Sequence, residues 1–194
     1  MRIHRAARCA AVLLLLASAA DAAPLTADEA DALVRARWFE DMPEDRIAPL
    51  SGEAVAHLDA LLRDPAEAQQ HAACVELLGR AGGPGAFAAL EAFAGREPVG
   101  EVEAATYRAR LALPLAWGAM AQRDPRALDP LLALARADAA APTWRFRRLD
   151  SSGVHALRRS LARTALRGSG RGGPEVEAVL SEPAPRSGGA GEGR

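Results

Sequence analysis

The residues of this sequence whose types and spacing could do chemistry are mainly arginines. Between positions 144 and 171, eight arginines face a single acidic residue, Asp150. Four basic side chains recur every fourth residue and would form one exposed row on a helix: His155, Arg159, Arg163 and Arg167. Like charges at this spacing repel by about 0.3 kcal/mol per pair, so an anionic partner would offset the repulsion. The candidate binding residues are this row together with the basic and aromatic stretch before it, which comprises Trp144, Arg145, Arg147 and Arg148.

The charge distribution leaves the counterpart of this basic stretch open. The formal net charge is -1, yet positions 24–104 carry 16 acidic residues against 6 arginines. The counterpart could be the acidic face of a partner protein, a lipid headgroup or nucleic acid. It could also be the chain's own acidic half, in which case the basic row is a solvated face.

Catalytic and metal-binding patterns are weak in this sequence. His71 and Cys74 lie one turn apart on a predicted helix, but two ligands do not make a zinc site, and we expect a buried cysteine beside an exposed histidine. Carboxylates that could form an acid–base pair share one acidic loop without a predicted pocket: Glu40, Asp41, Glu44 and Asp45. Clustered glycines follow a helix instead of a strand, so they are helix caps and not a phosphate loop: Gly79, Gly82, Gly83 and Gly85. We therefore expect no catalytic residue, metal or cofactor.

The N-terminal segment, residues 1–23, has the pattern of a secretory signal peptide. A basic stretch precedes the apolar run Cys9–Ala20, and small residues then offer a cleavage site at Ser18–Ala20 or Ala20–Ala22. The run is shorter than the roughly 20 residues that a membrane span needs, so a cleaved signal is favoured over the alternative of an uncleaved anchor. The mature chain is then periplasmic or secreted, without a transmembrane segment, and nucleic acid is not an expected partner.

Helical periodicity and start signals predict eight helices after the signal. Thr26–Glu29 forms a capping box, and a second helix spans about 52–63. Asp64-Pro65 and Asp124-Pro125 are expected to open the third and sixth helices, with Asp129 as an alternative start of the sixth because Pro130 follows it, and Pro84 and Pro174 the fourth and eighth. A fifth helix spans about 101–121 with a kink at Pro114, and Ser151 or Ser152 caps the seventh. Residues 181–194, rich in Pro, Gly and Ser, are expected to be a disordered tail.

The inward faces of these helices follow from their apolar spacing. The first helix is expected to bury Ala30, Leu33, Val34 and Trp38, and the second to bury Val55, Leu58, Leu61 and Leu62. The fifth helix is expected to place Leu111, Leu115 and Gly118 on one inward row. The seventh is expected to bury Val154, Leu157, Leu161 and Ala165.

An internal repeat links the helices in pairs. In each pair the second helix begins at a turn residue that a leucine follows six positions later: Gly52 and Leu58, Pro84 and Leu90, Pro125 and Leu131, Pro174 and Leu180. These anchors are 32, 41 and 49 residues apart. Insertions that fall in loops while the stacked faces stay in register are typical of solenoid repeats.

The stretch Ala72–Leu90 resembles a bacterial HEAT repeat. It has a helix of small residues, the Leu78-Gly79 step, a Gly83-Pro84 turn and an alanine-rich second helix, and Ala112–Leu132 matches with Trp117-Gly118 at the same step. The resemblance implies an all-α, armadillo-like helical domain over residues 24–180, an α-solenoid of about four antiparallel hairpins. It further implies a non-catalytic scaffold that binds a protein partner. HEAT-like folds also include enzymes, the bilin lyases and DNA glycosylases, and their cytoplasmic substrates disfavour that alternative for an exported chain.

Overall fold

The computed structural model describes residues 23–36 and 42–182. Within these ranges the chain forms eight α-helices: α1 (Ala27–Arg35), α2 (Gly52–Arg63), α3 (His71–Ala81), α4 (Ala86–Gly95), α5 (Ala104–Ala121), α6 (Leu128–Ala135), α7 (Ser151–Gly168) and α8 (Pro174–Ser181). The prediction of an all-α fold is confirmed. Several predicted features lie outside the described residues: the signal peptide through Ala22, Trp38, Glu40, Asp41 and the tail beyond Glu182. In the part of the chain that is described, no helix is both long and apolar enough to cross a membrane.

Local signals placed several helix starts correctly. The Thr26 hydroxyl accepts from the Glu29 amide while the Glu29 carboxylate accepts from the Thr26 amide, which is the predicted capping box. Helix α2 has the predicted bounds, and its four predicted inward residues are buried. Pro174 opens α8 as expected.

Two predicted helix starts are tight 3₁₀ turns instead, at Pro65–Glu67 and Pro125–Ala127. In both, the preceding aspartate accepts from the amide two residues on, at 2.8 Å for Asp64 and 3.1 Å for Asp124. This bond closes an Asx-type turn and not the first turn of an α-helix, so α3 and α6 begin later. Helix α7 is capped by Asp150, whose carboxylate accepts from the Gly153 amide at 2.8 Å, and not by Ser151 or Ser152.

Two long connections, before α5 and before α7, meet as a short parallel strand pair that the sequence pattern did not predict. Strand β1 (Gly100–Glu101) pairs with β2 (Trp144–Arg145). As a result α5 begins at Ala104 and not near Glu101. The pair is too short to show an alternating pattern, and Trp144 is its one fully buried side chain.

The helices pack in a regular order. Each odd-numbered helix packs on its following even-numbered partner and on the next odd-numbered helix, with α3 against α5 as the most extensive contact. On the other side, α2 packs on α4 and α6 on α8. One apolar core of buried residues runs from α1 through α8.

Two glycines, in the Leu78-Gly79 and Trp117-Gly118 steps, allow α3, α5 and α7 to approach closely. A Cβ atom added to Gly79 of α3 would lie 2.5 Å from the Cα atom of Ala116 on α5. One added to Gly118 of α5 would lie 2.7 Å from the Cβ atom of Ala165 on α7. Both glycines therefore form the same kind of close helix contact, which fixes how α5 and α7 are rotated.

Replacing Gly79 with alanine is expected to destabilise the protein by about 1–3 kcal/mol, because the added methyl group meets backbone that cannot move away cheaply. An alanine in a helix is otherwise more favourable than glycine by about 1 kcal/mol. Gly95→Ala is the matched control, since nothing lies within 4 Å of its added Cβ atom. Urea unfolding followed by circular dichroism measures both, and equal effects of the two substitutions would contradict the close contact.

Candidate functional site

The predicted exposed basic row on α7 is wrong at its centre. Arg159 and Arg163 are 5% and 7% exposed, His155 is half-buried and Arg167 alone is fully on the surface. Arg159 donates from Nε to the Ala135 carbonyl at 3.1 Å and from Nη2 to the Glu182 carboxylate at 3.1 Å. The row therefore does not form a continuous surface for an anion.

Arg163 binds the last turn of α8. Its Nη2 atom donates to the carbonyls of Val179, Leu180 and Glu182 at 2.7, 2.9 and 2.6 Å. The C-terminal carbonyls of a helix lack partners within the helix and carry partial negative charge, so a guanidinium satisfies both needs. Helix α7 therefore buries a different face from the one that the sequence predicted. The long aliphatic stems of Arg159 and Arg163 pack inside, and Leu157 and Leu161 are left half-buried.

The same kind of contact recurs at the ends of the earlier even-numbered helices. Arg110 of α5 is buried, donates to the Phe93 carbonyl at 2.9 Å and lies 4.2 Å from the centre of the Phe93 ring. Burial lowers the pKa of Arg110 to about 10, so the guanidinium stays charged at neutral pH. His71 of α3 binds the end of α2, where its Nε2 atom lies 3.0 Å from the carbonyls of Leu61 and Asp64. The expectation of an exposed His71 is therefore wrong.

Two odd-numbered helices, α3 and α5, are bound in a similar way, with one arginine at the C-terminal end of each. Arg123, just after α5, donates to the carbonyls of Gly79 at 2.8 Å and of Arg80 at the end of α3. Arg171, just after α7, donates to the carbonyl of Ala121 at 2.6 Å at the end of α5. The third and fourth hairpins thus each donate hydrogen bonds to a helix end of the preceding hairpin.

A fourth buried arginine, Arg158, fixes the connection before α7. The Glu97 carboxylate accepts from Trp144 Nε1 at 2.6 Å and from Arg158 Nη1 at 2.7 Å. Trp144 is fully buried, so its predicted role as a contact residue for a partner is wrong. Together these bonds fix the segment 143–149 against the body of the protein.

The remaining predicted site residues lie at a hairpin turn that this segment carries, which we call the arginine turn (Arg145–Leu149). Arg145, Arg147 and Arg148 are exposed, and Phe146 stacks on Tyr107 at 4.0 Å between ring centres. Arg145 forms an exposed ion pair with Glu101 at 3.2 Å. The structure thus brings together three of the eight predicted residues at the surface. It separates them from Arg167, which lies at the far end of α7, about 25 Å along an 18-residue helix.

An open groove that the sequence analysis missed lies between the segment 42–44 and α5, with α3 as its side wall. It has a volume of about 630 Å³ and an apolar floor from α5. The groove residues are Met42, Pro43, Glu44, Glu76, Arg80, Ala112, Leu115, Ala116 and Ala119. Arg80 spans the groove wall, because it donates to Glu76 at 2.7 Å and to the Met42 carbonyl at 3.0 Å.

Leu115 is the groove residue whose exposure differs most clearly from the prediction. It was expected to face inward, yet it is 48% exposed, while Leu113, Ala116 and Trp117 beside it are buried. The prediction failed because α5 carries apolar residues on nearly all sides, so its periodicity does not decide which face is buried. Of the predicted row, Gly118 is buried against α7, and this close contact fixes the rotation of the helix that leaves Leu115 outside.

The structure gives the other chemical candidates little support. Cys74 is fully buried, and burial raises the pKa of its thiol to about 12, so it is a poor nucleophile at neutral pH. Glu44 and Asp45 lie on an exposed 3₁₀ turn. Among the described residues, no group of three or more His, Cys, Asp or Glu side chains is placed to hold a metal ion.

Comparison with known proteins assigns no family to the chain. No protein-family model matches it, and no curated protein or solved structure is significantly similar to it.

Replacing Arg163 with glutamine is expected to lower the free energy of unfolding by about 2 kcal/mol, because the carbonyls at the end of α8 lose charge-assisted hydrogen bonds. Arg167→Gln removes the same charge one turn further along at an exposed position, and a change within about 0.5 kcal/mol is expected. Chemical unfolding of the two variants measures the difference. If Arg163→Gln were as stable as Arg167→Gln, the capping role of Arg163 would be refuted.

Proposed function

We propose that the chain is an exported, non-catalytic α-solenoid of the HEAT type that binds a protein partner in the groove of α3 and α5. The single observation that carries the binding role is the apolar groove floor with Leu115 half-exposed on it. The order of helix packing supports the architecture, the contacts of the buried charges support a non-catalytic role, and the signal-peptide pattern of residues 1–23 supports the export.

The order of helix packing supports a solenoid. In a solenoid each hairpin contacts its neighbours in sequence, and the odd-numbered helices pack here one on the next. The Gly79–Ala116 and Gly118–Ala165 contacts repeat one geometry from hairpin to hairpin. Arg123 and Arg171 repeat the hold on the preceding helix end.

Size and chemistry favour a short segment of a protein as the occupant of the groove. A volume of about 630 Å³ accommodates a few apolar side chains. Covering the exposed half of a leucine contributes about 1 kcal/mol to the free energy of binding. One such residue is too little for a stable complex, and the alanines of the groove floor add further apolar contact. The charged rim formed by Glu44, Glu76 and Arg80 would set the orientation of the bound segment.

The buried ionisable groups favour binding over catalysis. Arg110, Arg159 and Arg163 are each occupied with helix-end carbonyls, and the Glu97 carboxylate is occupied with Trp144 and Arg158. These groups hold the fold together, and none lines the groove. The proposal therefore assigns the chain no cofactor and no metal.

The binding role is tested by placing the photoreactive residue p-benzoylphenylalanine at position 115 in cells that naturally make the protein. Irradiation is expected to give one or a few discrete higher-mass species, because the side chain points into the occupied groove. Ala88, exposed on α4 and outside the groove, is the control position. The same ladder of products from both positions, or none from position 115, would exclude the groove as the binding site.

A charge in the groove is expected to release the partner without unfolding the protein. Leu115→Asp should abolish the cross-linked species and copurification of the partner that they identify. Its stability should change by less than about 1 kcal/mol, because the position is half-exposed. Ala88→Asp adds the same charge elsewhere and should leave partner binding intact.

Export is tested by the mass and the location of the natural protein. The protein recovered from the periplasmic or secreted fraction is expected to begin between positions 21 and 24, at one of the two small-residue cleavage sites. Intact mass spectrometry after cell fractionation measures both quantities. Full-length protein confined to the cytoplasm would remove the export part of the proposal and leave the groove part standing.

A further inference from the structure

The arginine turn is a two-residue hairpin turn with an unusual residue at its tip. Phe146 and Leu149 exchange both backbone hydrogen bonds, at 3.0 and 2.9 Å, so Arg147 and Arg148 are the two turn residues. Arg147 has a φ of 53° and is the one residue other than glycine with a positive φ in the described ranges. Glycine, asparagine and aspartate usually occupy such positions, because a larger side chain costs about 1 kcal/mol there.

Rigid contacts hold this turn outward from the body of the protein. Trp144 is buried and bonded to Glu97, Gly100 pairs with Trp144, and the ring of Phe146 stacks on that of Tyr107. The turn is therefore preorganised, and a ligand that binds it has little chain entropy to overcome.

The two guanidinium groups at the tip form no ion pair with the described part of the chain. Arg147 lies over the Phe146 ring at 5.0 Å, and neither Arg147 nor Arg148 forms an ion pair with any carboxylate of the described residues. The buried arginines of the described residues bind helix-end carbonyls or Glu97, and Arg147 and Arg148 have neither contact. A costly backbone conformation beside two exposed guanidinium groups that lack an ion pair points to a contact outside the chain.

We propose that the arginine turn binds an acidic segment of a partner protein through Arg147 and Arg148. Guanidinium groups form bidentate hydrogen bonds with carboxylates, so two adjacent arginines match two nearby Asp or Glu side chains. Glu101, Glu103 and Asp150 flank the turn and are exposed. These carboxylates would be repelled by an extended anionic surface such as a membrane, whereas a narrow acidic peptide can reach the tip beyond them. This surface is separate from the groove and does not depend on the groove being occupied.

The proposal is tested with a fluorescein-labelled octaglutamate peptide, titrated with the full chain at low salt and followed by fluorescence anisotropy. The double variant Arg147→Gly with Arg148→Gln is expected to weaken binding about five- to tenfold, since two exposed ion pairs are lost. Its thermal midpoint is expected to be no lower than that of the unsubstituted protein, because glycine accepts the φ of the turn without strain. If the double variant loses affinity for the peptide but keeps its thermal midpoint, Arg147 and Arg148 contact the ligand and have no structural role.

Two matched controls make the result specific. The double variant Arg136→Gln with Arg167→Gln removes the same two charges from exposed positions away from the turn, and less than a twofold change is expected. Leu115→Asp should bind the peptide normally, which keeps this test independent of the groove. Equal losses in the two double variants would show that net charge alone attracts the peptide and would overturn the proposal. The proposal would also be overturned if vesicles containing phosphatidylglycerol bound through Arg147 and Arg148 while the peptide did not.

Discussion

At six of the eight helices that the structure describes, the C-terminal end is closed by an arginine or histidine side chain from another helix or from the loop after one. His71, Arg110, Arg159 and Arg163 close the even-numbered helices, and Arg123 and Arg171 close α3 and α5. The carbonyls at a helix end need partners, and a guanidinium can reach several of them at once because its donors form a fixed fork. Five of these six side chains reach from one hairpin to another, so closing a helix end also joins two hairpins, whereas Arg163 joins the two helices of the last hairpin.

This constraint explains why a chain without lysine suits the fold. All 24 Lys+Arg residues are arginine. A lysine at position 163 would present one compact charge to carbonyls that are spread over the last turn of α8, and it would give up a proton more readily on burial. Among the described residues, helix ends account for the positions of three of the four buried arginines, and the Glu97 carboxylate accounts for that of the fourth, Arg158. A run of basic residues in such a chain is therefore poor evidence for an anionic ligand.

Features that depend on a few neighbouring residues could be predicted from the sequence. The Thr26 capping box, the bounds of α2 and the start of α8 at Pro174 are local, because their bonds join residues three or four positions apart. The faces of α5 and α7 could not be predicted, since tertiary contacts reverse the usual preference of arginine for solvent. Nothing in the spacing of Arg159 and Arg163 shows that the carbonyls of α6 and α8 lie opposite them. The groove could not be predicted for the same reason, because it lies between elements that are distant in sequence.

Helix α5 shows how packing and binding are connected. It buries Arg110 and exposes Leu115, the reverse of what either side chain prefers by itself. The close contacts at Gly79 and Gly118 fix the rotation of the helix, and the end of α4 fixes Arg110 inside. With that rotation fixed, position 115 faces solvent whatever residue occupies it, and a polar residue would serve the isolated fold at least as well. The leucine there fits the proposed binding role, in which a partner covers the groove.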